Sequence, residues 1–207
     1  MTRLLAAMSF MFVPLVFAQT PSINITFSPE SEQYAQATKE YQAIWAAEGQ
    51  RIIAAMEKVS EVRFTEAEVR AIVFEGASSS GFREKPMKLR ASYPSEVKKA
   101  TLIHELGHRL INRIPKTKEV DEHRVLFLVL YDIWESLYGK DFADRMVEVE
   151  KKRKGIYDYE SAWKWALAMS KEERAARFKA LRESTDDHRY YGSASQYHRA
   201  VADRSEH

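Results

Sequence analysis

The 207-residue chain has no cysteine. No disulfide can staple it, so its stability must come from core packing and from any metal it binds. It also lacks an excess of either charge. Its 32 Lys and Arg stand against 30 Asp and Glu, a formal net charge of +2. That balance excludes a nucleic-acid-binding surface as its main function. Long apolar runs are missing beyond the first 18 residues, so no later stretch is suited to span a bilayer. What remains is 45% hydrophobic and 12% aromatic, enough for a real core and neither wholly disordered nor multi-spanning.

The first 18 residues read as a secretory signal. Arg3 and the amino terminus are positive, and Leu4 to Phe17 is apolar except for Ser9 and Pro14. Val16 and Ala18 place small residues at −3 and −1 for cleavage before Gln19. The run is shorter than the roughly 20 residues a span prefers. The sequence therefore predicts an exported protein, periplasmic or secreted, with no stable membrane span after cleavage. Three parts follow: the signal at 1–18, one folded domain at 19–184, and a polar tail at 185–207 with few aliphatic residues.

The organising stretch is Thr101-Leu-Ile-His104-Glu105-Leu-Gly-His108-Arg109-Leu110. On a helix, positions i and i+4 lie on one face, a turn apart. His104 and His108 can offer two imidazole nitrogens to one metal ion. Glu105 stands beside them, where its carboxylate can take a proton from a bound water. Val97, Ala100, Ile103, Leu106, Gly107, Leu110, Ile111 and Ile114 recur at helical spacing, with the histidines on the flank of that stripe.

This stretch closely resembles the active-site helix of the zincin metallopeptidases. The match covers about ten residues. Arg109 departs from the family, which usually has an uncharged residue there; its length lets the expected side chain swing to solvent. The resemblance implies a zinc peptidase that cleaves peptide or protein substrates, with one Zn2+ per chain. The zinc activates water, and Glu105 acts as general base.

A third ligand is needed, because catalytic zinc usually has three protein ligands and one open position. The motif helix should start at Pro94-Ser95 and stop near Arg113, because Pro115 disfavours helix before it. After the short linker 115–118, a second helix is expected from Glu119 to Tyr138, with Gly139 as stop signal. A ligand on this returning helix must sit about a turn in. Asp121, Glu122 and His123 qualify, but consecutive helix residues point about 100° apart and cannot all face the metal. Glu122 shares its face with Val125, Leu126, Val129 and Ile133; His123 shares one with Leu126, Phe127, Leu130 and Trp134. Both faces look buried, and that of Asp121 looks wet. Resemblance to the gluzincins, especially their minimal single-domain members, implies Glu122 beside His104 and His108. Asp121 and His123 stay open as alternatives or as outer partners.

Elsewhere a long helix is expected from Ser28-Pro29 to about Val59, followed by β-like segments at 62–64 and 70–74. Met87 to Ser92 alternates as a half-buried strand does. By position it resembles the zincin strand whose free edge pairs with an extended peptide. Downstream tyrosines steady the intermediate in many gluzincins, which leaves Tyr157 and Tyr159 as possibilities. Ser170 to Glu173 is a capping-box pattern. The expected fold is α+β: a mostly helical zincin-like single domain, with a small sheet before the motif helix. Two other classes stay open: a metal-binding but inactive structural relative, and a helical envelope protein that binds a partner without metal.

Overall fold

The computed structural model describes residues 23–82, 84–153 and 157–184. The signal segment and the polar tail lie outside them. Among the described residues, no helix is long and apolar enough to cross a membrane.

The fold is α+β, as expected, with a small sheet and a larger set of helices. Strand β1 (Asn24–Pro29) is followed by a 3-10 turn (Glu32–Tyr34) and the long helix α1 (Ala35–Ser60). Then come β2 (Glu68–Phe74), β3 (Met87–Arg90) and α2 (Ser95–Leu110). Helices α3 (Glu122–Tyr138), α4 (Lys140–Lys151) and α5 (Tyr159–Leu167) follow, and residues 171–184 form α6. The three strands lie in the order β1-β2-β3, all parallel.

Strand β1 corrects the expected helix start at Ser28-Pro29. Ile23, Ile25 and Phe27 are buried on one side, the period-2 pattern of a half-buried strand. Their neighbours pair with β2 in register from Asn24 opposite Glu68 to Pro29 opposite Val73. Helix α1 therefore begins at Ala35. It supplies the crossover that a parallel pair requires. Residues 62–64 are not a strand. The Phe64 N–H donates to the Glu57 carboxylate at 3.0 Å instead of to a ladder.

Helix α2 packs between α1, β3 and α3, and every residue from Ala100 to Leu110 is buried. Gly107 makes the approach of α3 possible. A Cβ there would come within 2.5 Å of Leu126 Cδ1. Trp163 of α5 stacks on Phe127 of α3 with ring centroids 3.9 Å apart. Phe178 of α6 is buried in the core as well. Ser170 and Glu173 form the expected capping box, each side chain accepting from the other's backbone N–H.

Candidate metal centre

The i, i+4 spacing on α2 puts both imidazoles on one face of the helix. His104 and His108 lie side by side, with their Nε2 atoms 3.1 Å apart. The opposite nitrogen of each ring faces a carboxylate. Nδ1 of His104 is 2.7 Å from Glu150 Oε1, and Nδ1 of His108 is 2.9 Å from Glu122 Oε1. On His108 the carboxylate accepts the Nδ1 proton and leaves Nε2 a bare acceptor; at His104 the close approach lies outside hydrogen-bond geometry, and neither Nδ1 nor Glu150 Oε1 has another hydrogen-bond partner. Two Nε2 atoms this close repel unless a proton or a cation lies between them.

The third nitrogen comes from His123. His104, His108 and His123 each offer a ligand atom, all within 4.8 Å of one another, close enough to bind one metal ion. The His123 ring centroid is 4.8 Å from that of His108 and 5.6 Å from that of His104. Burial, reinforced by the two neighbouring histidines, lowers the His123 pKa to about 3. The ring is therefore neutral and available as a ligand at ordinary pH.

Glu122, expected as the third ligand, stands elsewhere. Helix α3 starts three residues later than the sequence suggests, with Asp121 as N-cap accepting from Arg124 N–H at 3.0 Å. Glu122 is then the first helical residue, with its side chain about half exposed (51%). Its carboxylate reaches the outer nitrogen of His108 instead of the space between the rings. The hydrogen bond from His108 holds its pKa below the usual carboxylate value. Asp121, the other alternative, accepts from the Tyr157 hydroxyl at 2.7 Å.

Two tyrosines brace His123. Tyr157 stacks on its ring at 4.1 Å. The Tyr159 hydroxyl is 3.1 Å from its Nε2. A cleft of about 240 Å³ opens over these groups, lined by Ser78, Ser79, Ser80, His104, Glu105, His108, Glu122, His123 and Tyr159. Tyr159 is thus in the cleft, and Tyr157 acts behind the ring.

Sequence reasoning missed Glu150. It is 1% exposed and sits on the apolar face of α4 with Phe142, Ala143, Met146 and Val147. Besides facing His104, it accepts from the Trp163 indole N–H at 3.0 Å and pairs with Arg153 at 3.4 Å. Burial alone would raise its pKa, but the His104 ring and the Arg153 guanidinium outweigh that and bring it to about 2. A glutamate falling on the 142-143-146-147 stripe was the available signal.

The cleft edge also differs from expectation. Strand β3 is the last strand of the sheet, but its outer side is occupied. Ser79 bridges Lys88 in antiparallel sense, donating to its carbonyl at 3.0 Å and accepting from its N–H at 2.8 Å. The Ser78–Ser80 segment therefore stands between β3 and the cleft. Met87 to Ser92 does not itself present the free edge. The return to β3 is tight: Gly81 has φ +57°, and a Cβ there would lie 2.3 Å from the Pro86 carbonyl oxygen.

Arg109 does not swing to solvent. It is 5% exposed, with its guanidinium on Ser80, Lys85 and Glu66.

Compared with known proteins, the chain matches no family model, and no curated protein and no solved structure matches it.

Proposed function

We propose that this chain is a zinc-dependent metallopeptidase, exported by its first 18 residues, with the metal held by His104, His108 and His123. The observation that carries the reading is the convergence of three imidazoles with Glu105 in one cleft. The donor set fits the ion. Three neutral nitrogens with one position left open are what a catalytic zinc site uses. Nitrogens about 2.0–2.1 Å from a tetrahedral zinc stand roughly 3.3 Å apart, close to the 3.1 Å between His104 and His108. Imidazole also suits copper, iron and nickel; the glutamate adjoining His104 favours hydrolytic zinc. In this reading Glu122 and Glu150 are outer partners that fix the tautomer and orientation of His108 and His104.

Zinc, when bound, acts as a Lewis acid that activates water and polarises the peptide carbonyl. Glu105, 3% exposed on the cleft wall, accepts the proton of the attacking water and passes it to the leaving amine. The Tyr159 hydroxyl is the donor placed to meet negative charge on the carbonyl oxygen. The substrate backbone has an edge to pair with. Ser79 turns its N–H and C=O to β3, so in an extended segment its neighbour Ser78 turns its own groups the other way. An extended peptide lying there follows the recognition mode of strand addition.

Glu105→Gln tests the reading. The variant should keep about one zinc per chain and lose peptide hydrolysis. Full hydrolysis by the variant would remove Glu105 from the chemistry.

A further inference from the structure

The motif helix carries one buried arginine directly after the second histidine. Arg109 uses its three donor nitrogens on three different segments. Nε donates to the Ser80 carbonyl at 2.8 Å, Nη2 to the Lys85 carbonyl at 3.2 Å, and Nη1 to the Glu66 carboxylate at 2.6 Å. Ser80 and Lys85 are the two ends of the tight return around Gly81, and Glu66 precedes β2. Against β3, the Ser78–Ser80 segment has the Ser79–Lys88 bridge and one hydrogen bond, Arg90 N–H to Ser78 Oγ at 3.1 Å.

We infer that Arg109 is a positioning residue: its guanidinium fork fixes the Ser78–Ser80 edge at a set height above the metal helix, and so determines how an extended peptide is held across the histidines. The inference rests on the reading of this cleft as a peptide site. It explains why an arginine follows His108. Only a planar fork reaches two carbonyls and a carboxylate at once; a lysine has one ammonium to offer. By occupying the Ser80 carbonyl, Arg109 also withdraws that acceptor from the edge and leaves the Ser78 groups as the pairing unit. Substrate grip on this side is therefore short, about one residue pair.

The test compares the full chain with Arg109→Gln, Arg109→Lys and Ser79→Pro. The last breaks the Ser79–Lys88 pairing without touching α2, so it keeps the test open if the arginine variants fold poorly. Amide exchange over residues 77–82 should rise at least tenfold in all three, while zinc stays at about one per chain. For a quenched-fluorescent decapeptide, KM should rise about tenfold with kcat within twofold of the parent. For a blocked dipeptide anilide, too short to pair with the edge, both constants should stay put. Lysine should not rescue. Unchanged exchange over 77–82, or an unchanged decapeptide KM, would overturn the inference. Failure of the peptidase reading would appear in the parent itself, which would cleave neither substrate; the exchange measurement would then decide the clamp alone.

Discussion

The Nε2 atoms of His104 and His108 face each other across 3.1 Å, and each ring is backed by a carboxylate on its opposite nitrogen. Both Nε2 atoms therefore point inward, and His123 adds a third nitrogen to the same space. The proposals about function follow from this relationship.

The carboxylate behind His104 should tune the metal. Glu150→Gln retains an acceptor for Trp163 but loses the charge facing the ring. Zinc affinity should fall about 10–100-fold, the range for outer partners of ligand histidines. Competition with a chelator of known affinity measures it. Glu150→Ala should be worse for the fold. It removes the acceptor of the buried Trp163 indole N–H and the carboxylate beside the half-buried Arg153, at a cost of about 1–3 kcal/mol, read by urea unfolding.

Tyr159→Phe removes the hydroxyl that lies 3.1 Å from His123 Nε2 and keeps the ring. Zinc content should be unchanged, with kcat lower by about 10²–10³-fold, the usual loss for one oxyanion donor. A Tyr157→Phe control, whose hydroxyl serves Asp121, should retain most of kcat. Steady-state kinetics on both variants separates the two tyrosines.

Gly107→Val should destabilise the fold by about 1–3 kcal/mol through overpacking. The added carbons would press on Leu126, which is fully buried. Combining it with Leu126→Ala should recover part of the loss. Equal additive losses in urea unfolding would mean that the two positions do not share that space.

Acid should loosen the helical layer through Glu48. Its carboxylate joins Lys99 of α2, the Tyr138 hydroxyl of α3 and Arg51. Partial burial opposes ionisation, but these three partners prevail and lower its pKa below 4.5. A depressed carboxylate stabilises the fold above its unfolded pKa, and that contribution is lost as pH falls through the folded value. Melting temperature should therefore drop from pH 6 towards pH 3. Glu48→Gln should reduce the drop without abolishing it.

The motif helix was legible because its chemistry and its packing share one period. His104 and His108 sit four apart, and the apolar residues around them keep helical spacing. The start of α3 decides which side chain joins the two histidines of α2. Asp121 caps that helix, so Glu122 lies at its exposed edge and His123 turns inward. A one-residue change rotates a helical side chain by about 100°, so a small difference in the helix boundary exchanges one candidate for its neighbour. Glu150 was hidden in a strongly charged stretch, and only its place on the apolar stripe of α4 marked it. The Ser78–Ser80 edge had no local signal. Three serines beside a glycine read as a turn, and only pairing with Lys88, nine residues on from Ser79, makes them an edge. Arg109 was expected to reach solvent because its side chain is long; its partners come from segments 24 to 43 residues earlier in the chain.

The most direct test is metal content by mass spectrometry on the chain purified without chelator or affinity histidines, beside His123→Ala and Glu122→Ala. The account predicts about one zinc per parent chain, loss of zinc in His123→Ala, and zinc retained but more easily chelated in Glu122→Ala. Zinc retained in His123→Ala and lost in Glu122→Ala would contradict the three-histidine centre. A parent that takes up no zinc when it is offered would contradict the metallopeptidase reading itself.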